Sequence, residues 1–341
     1  EGYIDPSEMR LEGPFGDHTG YYSQDGDYPV FHVMAITHRK NPIYLTTIVG
    51  KPPQEDYYLG RATERIFLPL MRTQLPEIVD MDMPVEGVFH NCVIVSIHKN
   101  YPMQARRLMS ALWGLGQMSF VKTIITVDAA VDVHNYDKVV SLILDKVDFD
   151  RDLFFSEGVL DVLNHASDNM LYGSKLGIDL TSKIQGEPGF GKNICLEKNT
   201  SPLPSIDELK NHFSDLNNIR HLDLDTQRSV MYIALNKTKP HQATDFINSF
   251  FKEPNFSAVN IVIVLEGNVK LEDDSVVMWK LFNNIDPKRD LHFYGSRLGI
   301  DVTQKLEEEG YQQRWPDEIE MSDEIKNRVD SKWDKMFKNL V

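Results

Sequence analysis

The feature that most constrains this chain is an internal repeat. Lys99, Pro102, Gln104 and Ala105 return as Lys237, Pro240, Gln242 and Ala243, a constant offset of 138 residues. The offset carries without a gap to Arg151-Asp152-Leu153, which returns as Arg289-Asp290-Leu291. It also maps one apolar helix face (Val139, Val140, Ile143, Leu144, Val147) onto Val277, Met278, Leu281, Phe282 and Ile285. Beyond that point Gly173-Ser-Lys-Leu-Gly-Ile-Asp179 matches Gly295-Ser-Arg-Leu-Gly-Ile-Asp301 at an offset of 122. The first repeat therefore carries 16 extra residues (138 − 122), around Glu157 to Tyr172. Shared turns and shared buried faces in register mean that one folding unit is built twice.

The unit reads as α/β. Val93 to Ile97 is a buried strand, and Pro102 opens a helix with Ala105, Leu108, Met109 and Leu112 on one face. Val121 to Val127 is a second strand, followed by a helix carrying Tyr136, Val139, Val140, Ile143, Leu144 and Val147 at helical spacing. Strands alternating with helices imply a parallel, helix-covered sheet. Ahead of the repeat, residues 1–85 are rich in Gly, Pro and Tyr. They contain strand-length apolar runs at Val30 to Ile36 and Ile43 to Val49. After the turn at Gly50-Lys51-Pro52-Pro53, the residues Ala62, Ile66, Leu70 and Met71 predict a helix face, and Pro76 ends that helix. The opening Glu1-Gly2-Tyr3-Ile4 reads like the interior of a strand, which suggests a piece of a longer protein.

Between the repeats, Gly186 to Pro204 reads as a linker, and Ser205-Ile-Asp-Glu208 as a capping box that starts a short helix. From Ser322 the stripe Ile325, Val329, Trp333, Met336 and Leu340 predicts a helix, either packed on its own domain or offered to a partner. The expected domains are 1–85, 86–195 (first repeat), 196–321 (a degenerate second repeat) and a C-terminal helix over 322–341.

Composition excludes several classes. The chain has 341 residues, 41% of them hydrophobic and 26% charged, which suits two or three globular domains. A net charge of −15 argues against nucleic acid and against docking on an anionic membrane. No apolar run reaches the roughly 18 residues that a membrane-spanning helix needs. The two cysteines, Cys92 and Cys195, lie far apart without CxxC or Cys/His spacing, as expected of reduced thiols in a cytoplasmic protein without a signal peptide.

The densest unusual stretch is Glu12-Gly-Pro-Phe-Gly-Asp17-His-Thr-Gly-Tyr-Tyr22. Two glycines and a proline between two acids make a tight bend. Such a bend can aim Glu12 and Asp17 at a common point, where at least one carboxyl would gain a proton near neutral pH and could donate it. The competing reading is a turn whose acids cap backbone amides. His18, His32, His38, His90, His98 and His134 show no metal-binding spacing, although His18 could line the same site. Gly186-Glu-Pro-Gly-Phe-Gly-Lys192 lacks the spacing of a phosphate loop.

Glu1-Gly-Tyr-Ile-Asp-Pro6 and Glu12-Gly-Pro-Phe-Gly-Asp-His-Thr-Gly-Tyr-Tyr22 resemble the signature of the UbiD decarboxylases, the polyprenyl-4-hydroxybenzoate carboxy-lyase family. In the same order, Gly50-Lys-Pro-Pro53, Phe67-Leu-Pro69, Pro76-Glu-Ile-Val-Asp80, Arg151-Asp152 and Gly173 to Asp179 also resemble it. The resemblance covers residues 1 to about 190; the second repeat is unusual for the family. It implies a fold that is α/β, α+β overall: a partial flavin-binding split β-barrel over residues 1–85, followed by two tandem βαβ-type domains. It also implies non-oxidative decarboxylation of an aromatic or unsaturated acid, such as a prenylated 4-hydroxybenzoate of quinone biosynthesis, assisted by prenylated FMN with Mn2+ and K+. Loss of CO2 from such an acid leaves a carbanion that needs an electron sink, which a cofactor supplies.

Carried over residue by residue, the resemblance makes Asp17 the proton donor and Glu12 the acid that orients or pairs with an arginine. Asp17 stands where some relatives have Glu, so its reach is shorter by one methylene. The resemblance implies that the arginine, the metal ligands and most flavin contacts lie upstream of Glu1, so the chain taken alone is expected to be inactive. Lys122, opening the strand to Val127, is the one later candidate for a cofactor-phosphate contact; a solvated strand-end lysine is the competing reading. Its counterpart in the second repeat is Asn260. The first repeat should face the catalytic cleft, with the 16-residue insertion at the substrate entrance and the second repeat as an outer brace or subunit contact. A homo-oligomer is expected, with a separate prenyltransferase supplying the flavin, at the membrane periphery if the substrate is lipid-like. Two rival readings stand beside this one: a non-catalytic scaffold or oligomerisation module, and a carboxylase running the reverse reaction.

Overall fold

The structure is a computed structural model describing residues 1–192 and 201–337. Cys195 and Leu340 lie outside the described residues, and so does the Met336 side chain. The chain divides into two compact units, Glu1–Asp56 with the chain from Pro316 onward, and Tyr57–Trp315.

In the first unit, β1 (Gly2–Glu12) and β2 (Gly26–Val33) form an antiparallel ribbon running from the pair Gly2↔Val33 to Glu12↔Gly26. The strand expected over Ile43 to Val49 does not form, and Tyr44 and Leu45 are fully exposed. An extended run is stable only where a neighbour completes its backbone hydrogen bonds, and this one has no ladder partner among the described residues. In the C-terminal helix (Asp323–Phe337) the stripe Ile325, Val329 and Trp333 is exposed.

The second unit begins with α1 (Glu55–Gln74), which ends before Pro76 as the sequence predicts, but with a different face inward. Gly60, Glu64, Leu68 and Met71 are buried, while Ile66 and Leu70 are exposed. Gly60 lies inside because the Phe89 ring packs where its side chain would be. Glu64 lies inside because its carboxylate accepts the Met83 N–H at 2.8 Å.

Two five-stranded sheets follow, of identical design. In the first, β3 (Ile78–Asp82), β4 (Cys92–Ile97), β5 (Thr123–Asp128), β6 (Leu153–Val159) and β7 (Tyr172–Asp179) stand in the order β3-β4-β5-β7-β6. The β4-β5-β7 pairs are parallel, and the two edge strands are antiparallel. Helices α2 (Gln104–Leu112) and α3 (Tyr136–Lys146) make the crossovers. After α4 (Ile206–His212), whose capping box is present, the second sheet repeats the plan with β8 (Leu216–His221), β9 (Val230–Leu235), β10 (Ile261–Glu266), β11 (Leu291–Tyr294) and β12 (Arg297–Asp301). Their order is β8-β9-β10-β12-β11, with the same edges antiparallel. Its crossovers are α5 (Gln242–Lys252) and α6 (Asp274–Asn284), with one turn of α7 (Pro287–Asp290) before β11.

The duplication extends to buried ion pairs. Lys99 bonds Glu187 at 2.6 Å and Thr181 at 2.8 Å; Lys237 bonds Glu309 at 2.6 Å and Thr303 at 3.3 Å. Lys183 bridges Asp152 and Asp179 as Lys305 bridges Asp290 and Asp301.

The repeats pack through reciprocal contacts. Leu144, on α3, joins the core formed by Val230, Ile261 and Leu298 of the second repeat; its counterpart Phe282, on α6, packs on Cys92, Ile125 and Val139 of the first. Each repeat thus places the same position into the core of the other, the pattern of a two-fold, self-complementary contact. The insertion expected at a substrate entrance lies in this seam. Ala166 O accepts from Arg289 Nη2 at 2.8 Å, His165 O from Tyr311 Oη at 2.7 Å, and Ser167 O from Gln313 Nε2 at 2.8 Å. The ends of the insertion extend the β6–β7 ladder, and at residues 165–167, outside it, the backbone carbonyls are satisfied by side chains of the other repeat. Among the described residues no helix is long and apolar enough to cross a membrane.

Candidate functional site

The acidic loop closes on itself within the first unit. β1 delivers Glu12 opposite Gly26 and leaves its side chain exposed. Gly13, at φ 90°, turns the chain in a backbone region that a side chain disfavours. Phe15 N–H donates to Ser23 Oγ at 3.1 Å, Ser23 N–H returns to Phe15 O at 2.9 Å, and Gly16 bridges Tyr22. The closed loop buries Asp17, which is 6% exposed. Asp17 Oδ1 accepts the Thr19 N–H at 2.9 Å, and His18 Nδ1 lies 3.0 Å from the same oxygen. Of the residues singled out in this stretch, the structure brings His18 to Asp17 and sets Glu12 on the end of the ribbon.

Lys122 lies in the second unit and is 1% exposed. Its ammonium donates to Asn164 Oδ1 at 3.1 Å and to the Asn283 carbonyl at 3.3 Å, across the seam between the repeats. Burial pushes its pKa down to about 7, against the pull of Asp286 and Asp290. A charge already engaged by two seam oxygens, and closed off from solvent, is not presented to a phosphate. Neither is Lys122 the solvated strand-end lysine of the competing reading. Among the described residues no cluster of three or more His, Cys, Asp or Glu could hold a metal ion.

The second unit also contains a cavity of about 490 Å3, which the sequence reading missed. Its walls are chiefly apolar, with Leu59, Phe67 and Leu70 of α1 facing Met83, Phe89 and Met118. These are side chains that helical periodicity alone assigns to either a core or a surface. Glu64 is the acid in its lining; burial pushes that carboxyl up, only partly offset by the Met83 N–H and Arg65.

The Rift-related domain of the 3-octaprenyl-4-hydroxybenzoate carboxy-lyase family matches residues 1–52, and the C-terminal domain of the same family matches residues 57–180 and 202–310. An uncharacterized protein of Helicobacter pylori strain J99 is 37% identical over 331 residues, covering 95% of this chain and 51% of that protein. One from Archaeoglobus fulgidus is 52% identical over 188 residues, 55% of this chain and 39% of that protein. The chain thus spans about half, or less, of the length of these relatives. The vanillic acid decarboxylase of Sedimentibacter hydroxybenzoicus in its closed form shares the fold with a TM-score of 0.51 and 24% identity, over 62% of this chain and 44% of that one. With the acidic loop in the first matched segment and each repeat covered by the C-terminal one, the chain belongs to the UbiD carboxy-lyase family.

Proposed function

We propose that the protein to which this chain belongs catalyses non-oxidative decarboxylation of an aromatic or unsaturated carboxylic acid, with Asp17 delivering the proton to the carbon that loses CO2. The observation that carries this reading is the burial of Asp17 in a closed loop with Oδ1 tied to the Thr19 N–H. That tie fixes the carboxyl and leaves Oδ2 as the oxygen on which a transferable proton sits. The balance is simple: the substrate carboxylate departs as CO2, its electron pair stays on carbon, and the Asp17 proton fills the vacated position. His18, partly exposed and 3.0 Å from Oδ1, links the spent carboxylate to solvent for reprotonation. Glu12, at the open end of the ribbon, is assigned to orienting an arginine from elsewhere in the protein.

Prenylated FMN, with Mn2+ and K+, belongs to the same proposal on the strength of the family; when bound, the flavin supplies the electron sink. Its seat is assigned outside the described residues of this chain, and the 341 residues by themselves are proposed to be inactive. Self-association and a separate prenyltransferase follow from the same reading. The test is release of CO2 from a panel of hydroxybenzoates and cinnamate-like acids by the whole protein, with 13C-bicarbonate exchange to read the reverse direction. A flavin-loaded protein that neither releases nor exchanges CO2 with any of them would refute the proposal.

A further inference from the structure

The segment that follows the second repeat returns to the acidic loop and is bonded along it. Tyr22 N–H donates to Asp317 O at 2.9 Å, Ile319 N–H donates to Gly20 O at 2.9 Å, and Tyr21 pairs with Glu318 as an antiparallel bridge. The loop thereby gains a short strand partner from the far end of the chain. The side chains secure the same contact. Ile319 is 9% exposed, and a Cβ added at Gly16 would lie 3.1 Å from its Cδ1 and 3.4 Å from Val49 Cγ2. A side chain at Gly16, the residue directly before Asp17, would therefore have to share its space with Ile319 and Val49. On either side, Glu318 and Glu320 hold Lys51 Nζ at 2.5 and 2.6 Å. Burial works against the Lys51 charge, but the two carboxylates outweigh it and hold its pKa above the ordinary lysine value.

None of residues 317–320 falls within the segments that match the family, which end at 52, 180 and 310. We propose that Asp317–Glu320 is a strap that positions the Asp17 loop, with Ile319 as its positioning residue. This rests on the reading of Asp17 as the proton donor. The strap explains how a loop with two glycines and a proline holds a carboxyl in one place: its free edge is paired, and the space beside Gly16 is filled from outside. A proton donor displaced by about 1 Å can lose on the order of a hundredfold in rate, so the strap acts on turnover and leaves substrate binding alone.

The experiment has two arms. In this 341-residue chain, amide exchange over residues 16–22 is compared between wild type, Ile319→Ala, Ile319→Val and Gly16→Ala. In the whole protein, kcat and KM are measured for the same variants and for the double variant Gly16→Ala/Ile319→Ala. Ile319→Ala should speed loop exchange and lower kcat about tenfold to a hundredfold with KM unchanged. Ile319→Val should restore both, and the double variant should recover much of the loss that Gly16→Ala causes alone, because the added methyl then has room. Unchanged loop exchange in Ile319→Ala overturns the strap, whatever the enzyme does. Faster exchange with unchanged kcat, in a protein that Asp17→Asn inactivates, overturns its positioning role while leaving the proposed function standing. Turnover by Asp17→Asn at the normal rate removes the proposed role of Asp17 instead, and loop exchange then decides the strap by itself.

Discussion

Phe155 and Phe293 occupy the same position in the two repeats, 138 residues apart, and their rings meet edge to face with centroids 6.2 Å apart. A residue that touches its own counterpart lies on a two-fold axis, and the exchange of Leu144 for Phe282 between the two cores obeys the same axis. The tandem is thus arranged as a pair of like subunits joined in one chain. This accounts for the retention of the second repeat's core and ion pairs, since each repeat covers an apolar face of the other.

The pair predicts a measurable coupling. Phe155→Ala and Phe293→Ala should each destabilise the chain, and the double variant should cost less than their sum by about 0.5–1.5 kcal/mol, the usual worth of an aromatic pair. Denaturant unfolding of the four proteins measures it. Strict additivity would place the rings outside the seam.

Arg228 provides a second test of the seam. It is 2% exposed, and its guanidinium donates to the carbonyls of Ile143 and Leu144 at 3.3 and 3.4 Å and of Val147 at 2.7 Å, over the Phe149 ring. The end of α3, where Ile143 O also accepts the Val147 N–H at 3.4 Å, is thereby capped by the other repeat. A lysine cannot span these carbonyls in one plane. Arg228→Lys should cost about 2–3 kcal/mol in a denaturant titration, whereas Arg228→Lys at wild-type stability would show the cap to be dispensable.

What was legible in the sequence follows from which forces leave a periodic trace. The repeated strands, the crossover helices and their shared faces were readable because burial of a face recurs every second or every third and fourth residue. The inward face of α1 was not, because Gly60 and Glu64 enter the core for reasons specific to Phe89 and the Met83 N–H, which no hydropathy pattern encodes. Ile43 to Val49 has strand composition without a strand neighbour, and composition cannot reveal a missing partner. For the insertion from Glu157 to Tyr172 and for Lys122, sequence points to a cleft only because loops and strand ends often face one. The bonds they make to Arg289, Tyr311 and Asn283, more than a hundred residues away in the other repeat, leave no trace in local sequence. In the acidic loop the two acids were visible as a motif, whereas the enclosure of Asp17 with His18 depends on a closed turn that only coordinates display.

Replacing Asp17 by asparagine preserves its shape and its acceptor for the Thr19 N–H but leaves no proton to donate. In the whole protein, Asp17→Asn should retain flavin while turnover falls by about 10²–10⁴-fold, the ordinary contribution of a general acid. Flavin absorbance and CO2 release measure the two effects separately. A near-normal rate with bound flavin would transfer the proton-donor role to another group.

Lys122 makes the seam sensitive to pH. Burial lowers its pKa from 10.5 to about 7, with Asp286 and Asp290 pulling it upward and Arg289 downward. Between these two values the unfolded chain holds a proton on this lysine that the folded chain has released. Raising the pH from 7 towards 10.5 therefore favours folding, by up to about 1.4 kcal/mol per pH unit from this residue. The contribution is complete above 10.5 and is lost as the pH falls through 7, where the folded protein must bury a charge. Lys122→Met removes that dependence while leaving the Asn283 carbonyl and Asn164 without their donor, so the variant should be weaker at pH 10. At pH 7 the same variant is spared the buried charge, and its deficit should narrow. Unfolding midpoints of both proteins at pH 7, 8, 9 and 10 test this. A constant difference across the series would show that Lys122 keeps its charge in the seam throughout, held by its carbonyl partners and the nearby aspartates.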